Sequence, residues 1–572
     1  MGSEAIWDFV IVGGGPAGCA LAVDLARSTT HPQVLLLEAG MRGDDKSLRV
    51  DGQRWNTFLN KEVNWGYKTA PQENCNGRQI DYSQGKVLGG STAINFSVFT
   101  VGPRDDYNEW ATVVGDELYK WDRMQPRFRR LETFDSTISE LKNAKYAGPK
   151  SSDHESQGAL RVGFASVWEQ DLPLMLDVFE QVGLVRNPDS NSGNPIGMVL
   201  MVNSAHKGRR TTAADLLGTA PENLTVITES PVQEIVLDGK KAIGCLCTDH
   251  ASKEVILAAG ALGSPKILMH SGIGPADQLE KFQISVVEHL PSVGQGLEDH
   301  LYVPLCFQRK TETNDRNAFF GDNAAMDRAM AQWMKDGTGP WSCYSCQIAP
   351  GFFKSDNLLA SAELRALPLS VQDFLKWETV PHYELLAHFP VRLVFPGVVK
   401  DYSYVCILMN EQSSGEVRLQ SSNPDDPLLF DPKFLSHPFD RRACIEILRD
   451  ALQVTKHESF QRDTVAPMVV PPSESDDDLF EFWKNTVGSV WHIVGTFKMG
   501  RPGDADAAVD SRFRLFGIEN LRVADMSVVP VLLSTHLQVP AYMIGMTCAE
   551  VLVKEYDLNS AKRQSSRGCI PA

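Results

Sequence analysis

The chain carries 572 residues, of which 43% are hydrophobic and 22% charged, and its formal net charge is −17. That length exceeds what one hydrophobic core organises, so two domains or more are expected. The acidic balance argues against nucleic acid and anionic membrane as partners and leaves small neutral or apolar ligands.

Met1 to Ile6 leaves no room for a basic region, an apolar region and a cleavage site, so a cytoplasmic chain without a secretory leader is expected. Eleven cysteines, an odd count scattered without a framework, suit the same reducing compartment. The first predicted strand, Trp7 to Val12, runs into Gly13-x-Gly15-x-x-Gly18, with Pro16 where a first helical turn tolerates a missing N–H. Gly13 permits the tight turn, Gly15 lets backbone approach a pyrophosphate, and Gly18 allows close helix–strand packing, while the helix N-terminus offers N–H groups to the phosphate charge. The second strand, Val34 to Leu37, ends in Glu38, at the offset from the glycines where an acid reaches a ribose diol. A glycine turn without a ligand would not require that acid, so the unit is expected to bind a dinucleotide.

Further on, Gly89-Gly90 followed by Ser91-Thr92 provides backbone that can lie flat against a ligand with N–H and O–H donors aimed at it. Arg104 to Arg130 and Asp171 to Val182 have helical character. Leu224 to Thr228 and Val232 to Leu237 alternate, and Asp238-Gly239 is a hairpin turn ahead of Ala242 to Cys247, so a meander beside the first sheet is expected. Val255 to Gly260 looks like a buried strand rejoining that sheet. Cys343-x-x-Cys346 lacks a second pair, so no metal site is expected. The acids Glu474 to Asp478 suit a helix N-terminus. The most apolar stretch, Val528 to Gly545, is broken by Pro530, His536, Gln538 and Pro540 and does not span a bilayer. Cys569-Ile-Pro-Ala572 and the sequons at Asn95 and Asn223 read as coincidences.

Gly85 to Asn108 and Gly260 to Gly274 resemble the two signatures of the glucose–methanol–choline (GMC) oxidoreductase family. Val293 to His300 looks like the family segment closing the first half, with Gly296 where Asn is usual, and the similarity runs from about 7 to 556, weakest at 310 to 400. The resemblance implies an α/β (α+β, two-domain) fold: a discontinuous Rossmann-like FAD domain over 1–155, 205–305 and 490–572, and a substrate domain over 156–204 and 306–489 whose antiparallel sheet, flanked by helices, roofs the flavin. By the same resemblance FAD lies on Gly13, Gly15, Gly18, Glu38, Gly89, Gly90, Ser91, Asn95, Val232, Ala524, Asp525 and Gln538. Ile94 stands where members with covalent flavin carry histidine, so FAD is expected to be noncovalent.

Trp491-His492, then Gly495-Thr496, and later His536 look like the family's catalytic pair in its His/His version. A neutral imidazole suits removal of an alcohol proton, and flavin N5 takes the hydride. His492 is the expected base and His536 the anchor for the same oxygen, with the roles exchangeable; Trp491 marks the substrate pocket. Pro540 sits in the first turn of a predicted helix, Ala541 to Tyr556, whose N-terminus would stabilise the reduced ring. The expected reaction is oxidation of a small-molecule alcohol, aromatic or polyketide, in secondary metabolism, with O2 or another acceptor taking the electrons. Alternatives on the same fold are a cyanohydrin lyase, a flavin-dependent decarboxylase, or a flavin protein without turnover. Oligomeric state is not legible in the sequence.

Overall fold

A computed structural model describes residues 7–138, 141–168, 170–245, 251–310, 319, 322–343, 348–387 and 401–559. Met1 to Ile6, Cys247, Cys346 and the terminal Cys569 to Ala572 lie outside them.

Five parallel strands form the first sheet. In chain order they are β1 (Trp7–Val12), β2 (Val34–Leu37), β3 (Leu224–Ile227), β4 (Ala251–Leu257) and β5 (Leu521–Val523), arranged β5-β4-β1-β2-β3. Phe9 to Val12, Val34 to Leu37 and Val255 to Leu257 are buried throughout, which is why these strands read as continuous apolar runs: a parallel sheet is covered on both faces. Helix α1 (Pro16–Ala26) carries the crossover from β1 to β2, and α2 (Gly260–His270) follows β4.

The final helix, α3 (Gln538–Glu555), packs on α1. It begins earlier than the sequence predicts, which places Pro540 within its first turn as expected. The two helices close because Gly545 has no side chain; a Cβ there would stand 2.1 Å from the Ala17 carbonyl oxygen. Gly545→Ala is therefore expected to wedge α3 off the sheet at a cost of about 1–3 kcal/mol. Calorimetry should register this as a lowered melting temperature, and an unchanged one would show that the contact is loose.

The expected meander is corrected in one strand. Ile235–Asp238 and Lys241–Cys245 pair as the hairpin that Asp238-Gly239 announces, but Leu224–Ile227 leaves them and pairs in parallel with β2. As an edge strand it is only half-covered, and its alternation is the same whether its neighbour is parallel or antiparallel. The helical region from Arg104 is two helices, Arg104–Val114 and Trp121–Leu131, separated at Gly115 in the left-handed region (φ +70°). Helix Asp476–Thr486 starts at Ser475, whose side chain accepts the Asp478 N–H, with the acids in its first turn.

A second, antiparallel sheet has the order Ala349–Phe353, Tyr383–Ala387, Asp401–Leu408, Leu301–Arg309, Thr464–Val469, and Gly488–Ser489 pairs with the start of Leu301–Arg309. Alternation along Asp401–Leu408 sets what each face meets. Tyr404 turns to helix Pro438–Thr455, its hydroxyl donating to the Ala451 carbonyl at 2.8 Å, while Val405 and Ile407 line a cavity between the two sheets. The expected boundary at 305/306 falls inside Leu301–Arg309, a strand paired with Asp401–Leu408 along its length, so the whole strand belongs to the roof. That at 155/156 falls between Glu132–Asp135 and Leu160–Gly163, which pair with each other in parallel.

Candidate active site

A cavity of about 560 Å³ runs from Ser230 and Val232, past Gly13 and Gly15, to His492 and His536 beneath the roof. Its first section is built from glycines whose roles separate cleanly. A Cβ on Gly13 (φ +112°) would lie 2.3 Å from the Ala258 carbonyl oxygen, and one on Gly18 would lie 1.9 Å from that of Gly13, so both are required by the fold. A Cβ on Gly15 would meet nothing within 4 Å, and its φ of −77° suits any residue. The space beside Gly15, at the N-terminus of α1, is what a pyrophosphate would fill. Gly15→Val is thus expected to fold with a parental melting temperature while losing FAD, read as the flavin-to-protein absorbance ratio; full flavin content would remove the phosphate assignment.

Glu38 does more than face a ribose. It lines the cavity, yet its two oxygens also accept the Gly14 and Gly40 N–H groups, each at 2.8 Å, so it clamps the glycine turn from within. Burial raises its pKa against the opposing pull of those N–H groups. A carboxylate oxygen has a second lone pair, so both remain able to accept a hydroxyl.

The other sequence-predicted positions divide into wall and support. Gly90 (φ +55°), Ser91, Asn95, Val232, Asp525 and Gln538 line the cavity, and Gly90 touches Gly15, since a Cβ on it would lie 2.8 Å from the Gly15 Cα. Gly18, Gly89 and Ala524 lie behind the wall. Gly89 (φ +102°) donates its N–H to the Gly14 carbonyl at 2.8 Å, and Ala524 donates to that of Leu257 at 2.8 Å. Asp525 ties β5 to α2, accepting from the Gly260 N–H at 2.9 Å and the Ser264 hydroxyl at 2.6 Å, and from the Ser527 N–H at 2.9 Å. Ile94 is a buried part of the wall. An open space beside glycine backbone and an acid at the end of the second strand together fit FAD.

At the far end His492 and His536 meet edge to face, with ring centroids 4.8 Å apart and planes at 85°. Each has a partner that the sequence reading left without a role. His492 Nδ1 lies 2.8 Å from His300 Nδ1, and His536 Nε2 lies 3.0 Å from Glu384 Oε1. Asp299, one residue before His300, accepts the His492 N–H at 2.7 Å and also binds the Ser489 hydroxyl, which in turn accepts the Trp491 N–H at 2.8 Å. Asp299-His300 thus fixes both backbone and ring of His492 and holds Trp491 in the left-handed region (φ +60°). Such positive φ costs energy unless its surroundings impose it.

The Nδ1–Nδ1 contact couples the tautomers of the two rings. Between His300 and His492 one Nδ1 donates and the other accepts. His300 Nε2 is buried without a hydrogen-bond partner, and the Met409 carbonyl favours the protonated ring. With the His300 hydrogen on Nε2, His300 Nδ1 accepts, His492 Nδ1 carries a hydrogen, and His492 Nε2 keeps its lone pair. Burial, reinforced by His536 and His300, holds the His492 pKa well below the usual imidazole range, and burial pushes that of His300 down to about 3. Both rings are neutral at ordinary pH. On His536 the carboxylate of Glu384, itself fully buried, takes the Nε2–H and sets the ring's orientation.

Around the pair the walls are apolar. Leu386, Val405 and Ile407 come from the roof, and Phe58, Phe96 and Trp491 from the side, with the Trp491 ring 4.7 Å from Phe58 and 5.7 Å from Phe96. The Trp491 indole donates to Asp81 at 2.8 Å, which pins it as one edge of this pocket. His300 sits in the segment whose resemblance was noted, where an imidazole beside a buried acid was the available signal. Glu384 lies in the least matched stretch, where no motif marks it.

Comparison with known proteins shows what the chain as a whole is similar to. Two sequence models described as GMC oxidoreductase match, the N-terminal one over residues 7–302 and the C-terminal one over 411–545. The alcohol dehydrogenase (acceptor) of Pseudomonas putida is 30% identical, covering 97% of each chain. The glucose methanol choline oxidoreductase atC of Aspergillus terreus is 29% identical over 97% of this chain and 94% of its own. Among solved structures, a fungal aryl-alcohol oxidase has the same fold, with a TM-score of 0.84 at 23% identity over 96% of this chain and 99% of that one.

Proposed function

Because the chain belongs to the GMC oxidoreductase family, we propose that it binds FAD noncovalently and oxidises a small-molecule alcohol to an aldehyde or ketone, with His492 as base and His536 as anchor. The observation that carries this is the meeting of two imidazoles, one tied to a neutral histidine and one to a carboxylate, on the wall of the cavity that Gly13, Gly15 and Ala17 also line.

The two rings differ in the way the reaction needs. In the tautomer with its hydrogen on Nδ1, His492 Nε2 offers a lone pair in a buried site, so it can take the hydroxyl proton at no cost in prior deprotonation. His536, oriented by Glu384 through Nε2, stands beside the same oxygen and aligns the carbon hydrogen. Bound FAD supplies the hydride acceptor at its N5. The apolar walls keep water from the site and strengthen each hydrogen bond within it. They also suit an alcohol on an aromatic or polyketide-like body, as in secondary metabolism, better than a polyol or a quaternary amine. O2 or another acceptor then takes the electrons. Cys19, Cys75, Cys343, Cys406, Cys444 and Cys548 are free thiols, which supports a cytoplasmic setting.

The test is anaerobic reconstitution with FAD, followed by benzyl alcohol, a long-chain primary alcohol, choline and glucose in separate cuvettes, in the dark. Loss of the flavin colour with the first two, and peroxide on admitting air if O2 is the acceptor, is the expected result. A yellow protein that no alcohol bleaches would end the alcohol reading.

A further inference from the structure

Resting on that reading, we propose that Arg54 and Arg210 set the hydrogen-bonding direction of Gln538 through Asn95, so that the site presents N–H donors to the carbonyl-bearing edge of the flavin and favours its reduced, anionic form. The chain of reasoning is one of donor and acceptor parity. Both guanidiniums are buried, at 3% and 0% exposure, and a guanidinium can only donate. Arg54 Nη1 reaches the Asn95 carbonyl at 3.0 Å and its Oδ1 at 2.9 Å; Arg210 Nη1 reaches the same carbonyl at 2.9 Å and the same Oδ1 at 3.4 Å. The Ser97 N–H adds a third donor to Oδ1 at 3.3 Å. Arg54 is itself anchored by the fully buried Asp51.

Three donors fix Oδ1 of Asn95 toward them, which leaves Nδ2 to point the other way. Nδ2 donates to Gln538 Oε1, and the Ser204 hydroxyl approaches that oxygen at 3.4 Å. Gln538 Oε1 is therefore committed as an acceptor, and its Nε2, which donates to no protein group among the described residues, is left for the occupant of the cavity it lines. Gln538 is also the first residue of α3, whose free N–H groups share this end of the cavity. Amide hydrogens and a helix N-terminus suit an edge carrying carbonyl oxygens, and they bind it more strongly once it bears negative charge. Asn95 and Gln538 are cofactor contacts, while Arg54 and Arg210 act through them as positioning residues.

The experiment uses FAD-loaded protein and sulfite, which adds to flavin N5 and leaves the ring anionic, alongside the two-electron midpoint potential. Gln538→Leu, which deletes the donor, and Gln538→Glu, which faces the ring with an acceptor, are each expected to weaken sulfite binding by about tenfold or more. The potential should fall by the equivalent, ~30 mV per tenfold for a two-electron couple. Asn95→Asp removes the Nδ2 donor, so Gln538 must turn its own N–H toward Asp and its Oε1 toward the ring. That change should weaken sulfite binding in the parental background and add nothing when combined with Gln538→Leu, because the effect is routed through Gln538. Unchanged sulfite affinity in both Gln538 variants, or an Asn95→Asp effect that persists in full without Gln538, overturns the proposal. Parental protein that takes up no FAD would instead sink the flavin reading beneath it.

Discussion

His492→Ala, loaded with FAD and mixed anaerobically with an alcohol that bleaches the parent, is expected to reduce its flavin about 10²- to 10⁴-fold more slowly while keeping its yellow colour. The ring contributes little to cofactor retention, since the glycine turn, Glu38 and the wall at Val232 lie elsewhere along the cavity. The loss should therefore appear in the rate of reduction and not in flavin content. The pH dependence separates this base from an ordinary histidine. Burial and the neighbouring imidazoles lower its pKa, so the unprotonated, active form persists as pH falls through the range where a solvated histidine gains its proton. Parental reduction should stay flat from neutral pH through about 6 and decline only in more acidic buffer. Stopped-flow reduction at several pH values measures both effects. A variant that reduces at the parental rate, or a parental profile falling steeply around 6.5, would remove His492 as the base.

The second large effect belongs to a residue that touches no substrate in this account. His300→Leu deletes the acceptor for the His492 Nδ1–H and leaves a buried donor unsatisfied, a cost of about 1–3 kcal/mol that the site can relieve by flipping the ring or moving the hydrogen to Nε2. Either escape removes the lone pair from where it is used, so reduction should slow by roughly 10- to 10²-fold. His300→Asn restores an acceptor oxygen and should recover much of the rate, which simple loss of packing would not allow. With the His300 ring gone, one of the influences lowering the His492 pKa disappears, and the acid limb of the profile should move toward neutrality. An unshifted limb together with a parental rate would show that His300 only fills space.

Much of the cofactor section was legible because its requirements are local. A strand, a turn that puts Gly13 in the left-handed region, and a helix packed so closely that a Cβ on Gly18 would lie 1.9 Å from the Gly13 carbonyl oxygen are fixed by residues adjacent in the chain. Even there the sequence under-described Glu38, whose grip on the Gly14 and Gly40 N–H groups depends on where β2 stops beside β1. Strand Leu224–Ile227 was assigned the wrong neighbour for a related reason, since an alternating pattern records how far a strand is covered and not what pairs with it.

The sequence by itself determined the dinucleotide turn and the family, and it singled out the two imidazoles on which the proposed chemistry rests, because each is written in contiguous spacing. Tertiary structure alone decided what those imidazoles can do. His492 meets His300 across 192 positions and His536 meets Glu384 across 152. No periodicity encodes such contacts; they arise where the roof sheet closes over the parallel one, and the burial so produced is what lowers a pKa and couples two tautomers.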